Sequence, residues 1–108
     1  MIPQTELYPK LRRLWDEHRA AAFPAAETRD ARIQEVAMYE SWLGGLAEAA
    51  LARGGRLAAP HRRMLEVRER EGNQPLWALA AELGEPVRSY VARLIAIQDL
   101  LRELPPDP

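Results

Sequence analysis

Two histidines, His18 in "WDEHRA" and His61 in "PHRRM", are the side chains of this sequence best suited to metal binding or proton transfer. A metal site needs several converging ligands, which on a helix come three or four residues apart. Neither histidine has a histidine partner at that spacing, and Asp16 and Glu17 point elsewhere around a helix carrying His18. Both are therefore read as surface or half-buried side chains, and no residue is assigned to a metal. The carboxylates stand beside arginines in "LRRLWDEHR", "ETRDARIQE" and "EVREREG". Neighbours of this kind form solvated ion-pairing faces worth about a few tenths of a kcal/mol per pair. The absence of cysteine removes thiolate catalysis, disulfides and cysteine zinc sites together. No G-x-S-x-G, phosphate-cradling glycine loop or dinucleotide fingerprint occurs. The chain reads as non-enzymatic, with no catalytic and no cofactor-binding residue.

Arginine is the remaining source of chemistry. Arg53, Arg56, Arg62, Arg63, Arg68 and Arg70, with His61 among them, face only Glu66 and Glu69 over the same span. This cluster is either an ordinary solvated face or a contact for an acidic protein surface, because guanidinium pairs bidentately with carboxylates. Arg53, Arg56, His61, Arg62 and Arg63 are its candidate partner-binding residues. The whole chain, with 15 basic and 16 acidic residues, has a net charge of −1 and no global field toward nucleic acid or an anionic membrane.

Helices must position these groups. Apolar residues recur at helical spacing and no β-branched run is bounded by turns, so the class is all-α without a sheet. A length of 108 residues suits one domain with one modest core. The pattern predicts a bundle of about five helices, three long and two short, over residues 1–104, with "PPDP" at 105–108 a disordered tail. The first runs from about Glu6 or Pro9 to Ala22, with Leu7, Leu11, Leu14, Trp15 and Ala22 on one face. The second spans Arg29 to Arg53, capped by Thr28 and stopped by Gly54 and Gly55. Inside it, Gly44 and Gly45 each cost about 1 kcal/mol relative to alanine, which asks for a close helix crossing or a kink. A third helix starts at Pro60 and breaks at "EGNQP", a fourth covers Leu76 to Leu83, and a fifth runs from Pro86 to Leu104. Trp15, Trp42 and Trp77 fall in helices one, two and four as bundle anchors, with a small pocket among them the other reading.

The fifth helix carries Val87, Tyr90, Val91, Leu94, Ile95, Ile97, Leu100, Leu101 and Leu104, a wider apolar face than a small core needs. A homodimer through residues 87–104 would cover it. The N-terminus lacks a basic stretch followed by an apolar run, and no segment approaches the roughly 18 apolar residues that cross a bilayer. The protein is expected in the cytoplasm, with no membrane contact.

Residues 62–101, "RRMLEVREREGNQPLWALAAELGEPVRSYVARLIAIQDLL", resemble the helical part of winged helix-turn-helix regulators. That resemblance implies a small DNA-binding transcriptional regulator with Arg88 and Arg93 on its reading helix. The segment departs from the pattern in charge: over residues 75–103, three arginines meet four carboxylates, with Glu85 at the start of the reading helix. Nucleic acid is thereby disfavoured. "LWDEHRAAAFP", "LARGGRL", "HRRML" and "YVARL…LL", in this order, resemble a family of short, arginine-rich all-α proteins of high-GC Gram-positive bacteria. This second resemblance implies bundle helices at residues 77–94 and brings no activity, cofactor or catalytic residue with it. Two functions are weighed: a non-enzymatic bundle acting through protein contacts, and the DNA-binding regulator.

Overall fold

A computed structural model describes residues 4–24 and 30–107, with side chains from Glu6 onward. These residues form five helices: α1 (Gln4–Ala20), α2 (Ile33–Ala52), α3 (Ala59–Glu71), α4 (Gln74–Leu83) and α5 (Val87–Leu101). Among the described residues there is no sheet, only one isolated parallel bridge between Leu57 and Pro106. Among them, too, no helix is long and apolar enough to cross a membrane.

The punctuation predicted from glycine and proline governs the helix ends. At the end of α2 the Gly55 N–H donates to the Ala50 carbonyl at 2.9 Å, and the positive φ of Gly54 (68°) and Gly55 (87°) turns the chain. Gly72 and Gly84 end α3 and α4 with positive φ, and prolines occupy the first turns of both helices. α1 begins earlier than expected, so Pro9 lies inside it, on its exposed side. α2 begins later: the Asp30 carboxylate accepts the Arg32 N–H at 2.9 Å in the turn before it. Thr28, the expected cap, lies outside the described residues.

The centre of the bundle is α5. Val87, Tyr90, Val91, Leu94, Ile95, Ile97, Leu100, Leu101 and Leu104 are all buried within the chain, against α1, α2 and α4. The apolar surplus that motivated a dimer through residues 87–104 is therefore absent: three neighbouring helices cover what one or two would leave open. α3 lies at the margin and contributes one buried residue, Leu65.

Residues 105–107, expected as a disordered tail, lie along the α2–α3 loop. The Leu57 N–H donates to the Pro105 carbonyl at 2.9 Å and the Asp107 N–H to the Leu57 carbonyl at 3.0 Å. Proline excludes helix here, as expected, but an extended strand end can still pair.

Candidate protein-binding groove

The fold uses one side of α2 and leaves the other bare. Ile33, Val36, Leu43, Leu46 and Ala50 enter the core, and Gly44 admits the Trp15 ring: a Cβ there would lie 2.9 Å from Trp15 Cη2. This is the packing notch that the glycine pair predicts. Gly45 is exposed, with nothing within 4 Å of where its Cβ would be. On its flank, Met38 is 72% exposed. Opposite it, α3 presents Met64 at 42% and Val67 at 45% exposure.

Met38, Met64 and Val67 border a groove made of two adjacent clefts. One, of about 500 Å³, is lined by Glu35, Met38, Tyr39, Trp42, Arg68, Glu71, Pro75 and Leu76. The other, of about 330 Å³, is lined by Trp42, Met64, Val67, Arg68 and Glu71. The shared Trp42, Arg68 and Glu71 join them. Advancing along α2 from Glu35 to Trp42 meets α3 in the reverse order, Glu71 to Met64, so the two helices form antiparallel walls. Trp42 is half-buried and stacks on Tyr39, with centroids 6.0 Å apart.

A buried polar network fixes the groove floor. Gln98 in α5 is 0% exposed, and its Oε1 accepts from the Tyr39 hydroxyl and, at 3.3 Å, from Asn73 Nδ2. Its Nε2 donates to Glu69 at 3.2 Å, and Glu69 pairs with Arg102 at 3.3 Å. Arg68 donates to Asn73 at 2.9 Å and lies 4.9 Å over the Tyr39 ring. Its guanidinium is thus committed inside the protein. Burial pushes the Tyr39 hydroxyl well above its ordinary value, against the opposing pull of Arg68, so it stays a neutral donor to Gln98. A buried amide is stable here because both its ends are satisfied. Sequence reading missed Gln98, although it occupies the place on the stripe Val87, Val91, Leu94, Leu101 where another apolar residue is due.

His18, expected at the surface or half-buried, is only 2% exposed. It continues the stripe Leu7, Leu11, Trp15, stacks on Trp15 at 5.4 Å and lies 4.7 Å from the Tyr90 ring. Its Nε2 is 3.6 Å from Glu40, while Nδ1 has no partner among the described residues. Burial lowers its pKa below the ordinary value; Glu40 opposes this and Arg93 reinforces it. Burial likewise pushes Tyr90 up to about 12. A cleft of about 400 Å³ opens beside His18, Phe23, Glu40, Ser41 and Tyr90. Among the described residues no cluster of three or more His, Asp or Glu could hold a metal ion.

The predicted basic cluster divides. Arg53 pairs with Asp107 at 2.7 Å and Arg62 donates to the Leu104 carbonyl at 2.7 Å, so both pin the chain after α5. Arg68 belongs to the groove floor. Arg56 and Arg63 are exposed, His61 is half-buried, and neither arginine side chain makes a hydrogen bond or ion pair with the described residues. The three tryptophans do not converge: Trp15 is core, Trp42 lines the groove, and Trp77 is 41% exposed on α4.

α4 and α5 pack against each other across the turn Gly84, Glu85 and Pro86. Arg88 is exposed, but Arg93 is half-buried with its guanidinium 5.8 Å over the Tyr90 ring. The Glu85 carboxylate accepts the Ser89 N–H and hydroxyl, each at 2.9 Å, which caps α5 and holds its pKa below the ordinary value. A carboxylate thus occupies the end that would meet phosphates.

No family model matches the chain, and neither the curated proteins nor the solved structures contain a match to it.

Proposed function

We propose that this protein is a non-enzymatic, cytoplasmic helical bundle that works by binding another protein through the α2–α3 groove. One observation carries the reading: Met38, Met64 and Val67 stay exposed around Trp42 while every large apolar residue of α5 is covered. A contiguous apolar patch beside charged rims is the usual mark of an interaction surface, and methionine adapts to a partner's shape. Arg56 and Arg63, without partners among the described residues, lie outside the groove lining and offer contacts to carboxylates elsewhere on the partner's surface.

The test compares capture from native cell extract by the unaltered protein, by Met38→Ser with Val67→Ser, and by Arg88→Ala with Arg93→Ala. The groove variant is expected to lose its specific partner with its circular dichroism unchanged, and the α5 variant to keep it. Duplex DNA binding with a steep salt dependence, abolished by changing Arg88 and Arg93, would replace this reading with that of a regulator.

A further inference from the structure

We infer that the groove takes an amphipathic helix of a partner protein, docked with basic side chains over Glu35 and Glu71; the inference rests on the protein-binding reading above. The shape of the walls comes first. Both are α-helices whose backbone N–H and C=O groups are bonded within the helix, and the described residues offer no strand edge. An extended peptide laid on Met38, Trp42, Met64 and Val67 would leave its own backbone groups unpaired over an apolar floor. A helix brings its backbone already satisfied and presents apolar side chains at i, i+3, i+4 and i+7. From Glu35 to Trp42 the wall is about 10 Å long at the helical rise, two turns of such a partner.

Gly45 gives a second, independent indication. It follows Trp42 by three residues, so it extends the α2 wall by one turn on the same face. Glycine inside a helix costs about 1 kcal/mol relative to alanine. Gly44 offsets that cost by admitting Trp15, whereas nothing in the described chain comes near Gly45. Bare backbone one turn beyond Trp42 permits the close crossing of a second helix, the contact that Gly45 lacks within its own fold.

Charge selects the partner. Glu35 and Glu71 both line the larger part of the groove, with Met38, both exposed, and neither has an ion pair among the described residues. The one cation in the described lining, Arg68, is held by the neutral Asn73 and Tyr39 and keeps its charge. The lining therefore carries two carboxylates against one cation, a net charge of −1, and neither carboxylate is tied up in an ion pair. Lysine or arginine on the partner helix meets them, and acidic residues there are repelled.

The three methionines, two of them in the groove, make the test direct. Methyl resonances of Met38 and Met64 in the full chain are followed while two synthetic helical peptides are added. The peptides share a leucine face and carry either lysine or glutamate on the polar face. The lysine peptide is expected to shift both methyls and to bind at least ten-fold more tightly than the glutamate peptide. Glu35→Lys with Glu71→Lys should invert that order, and Gly45→Leu should weaken the lysine peptide at least ten-fold while the helix content stays the same. A spin label on the peptide's basic end should broaden Met38 more than Met64. Equal binding of the two peptides would overturn the inference while leaving a protein-binding groove in place. Methyls unmoved by either peptide would overturn it, as would methyl shifts that grow with protein concentration alone, which would make the occupant a second copy of this chain.

Discussion

Gly44 and Gly45 are adjacent in α2 and meet opposite surroundings: Trp15 covers the first, and open solvent the second. The comparison extends to the whole helix. Toward α1 and α5, Val36, Tyr39 and Leu43 of α2 are closed in to 5% exposure or less; toward α3, Met38 is left almost free. One helix thus has a face that holds the bundle together and a face on which the bundle does not depend. Mutations on the two faces should separate stability from binding.

The largest effect is expected where the covered face meets the polar network. Gln98→Leu removes the acceptor of the buried Tyr39 hydroxyl and should cost about 2 kcal/mol, read from the urea midpoint at unchanged slope. Adding Tyr39→Phe, which removes the orphaned hydroxyl, should recover part of the loss; a fully additive double variant would show that the two groups do not act as a pair.

Next come the glycines. Gly44→Ala should cost about 1–2 kcal/mol, since its Cβ would lie 2.9 Å from a buried Trp15. Gly45→Ala should instead stabilise by about 0.5–1 kcal/mol through helix propensity. Shifts of the same sign at both positions would erase the distinction between the two faces.

A smaller effect comes from His18, which is buried against α2 and α5. Its pKa is lowered in the folded state, so the unfolded chain takes up a proton that the folded one refuses. The stabilisation is complete above the ordinary value of 6.5 and is lost as the pH falls below it. The slope from this one group cannot exceed about 1.4 kcal/mol per pH unit. Thermal unfolding of the unaltered protein should therefore become easier as the pH is lowered below 6.5, and His18→Phe should flatten that dependence. Equal slopes for the two proteins would mean that the buried imidazole is not the titrating group.

The smallest effect belongs to the bare face: Met38→Ser should stay within about 0.5 kcal/mol of the parent, because the side chain is 72% exposed. A larger loss would show that α3 depends on this face after all.

The number, order and stops of the helices could be read from the sequence because they rest on local chemistry: glycines at Gly54, Gly55, Gly72 and Gly84, and prolines at Pro60 and Pro75. Which faces mate was not legible in the same way. Periodicity assigns a stripe to each helix but does not say how many neighbours will cover it, so the broad face of α5 suggested a dimer where the fold supplies α1, α2 and α4. His18 and Gln98 were missed because polarity was taken to mean exposure, although both occupy apolar stripe positions. The arginine pairs also proved less local than their spacing suggested: Arg32 reaches Glu82 in α4, and Arg53 reaches Asp107. The groove itself arises only when the exposed residues of α2 and α3 are brought side by side, and neither helix carries that signal alone.

The pairing of Leu57 with Pro105 and Asp107 sets an order of assembly. Both backbone groups of Leu57 take their partners from beyond α5, so the loop carrying Arg56 cannot close until α3, α4 and α5 have been laid down and folded back. A chain end held by a few backbone hydrogen bonds opens at lower cost than the packed core. The Leu57 amide is therefore a local clock for the docking of residues 105–107, exchanging with solvent when that segment lifts while the Leu94 amide at the bundle centre stays protected.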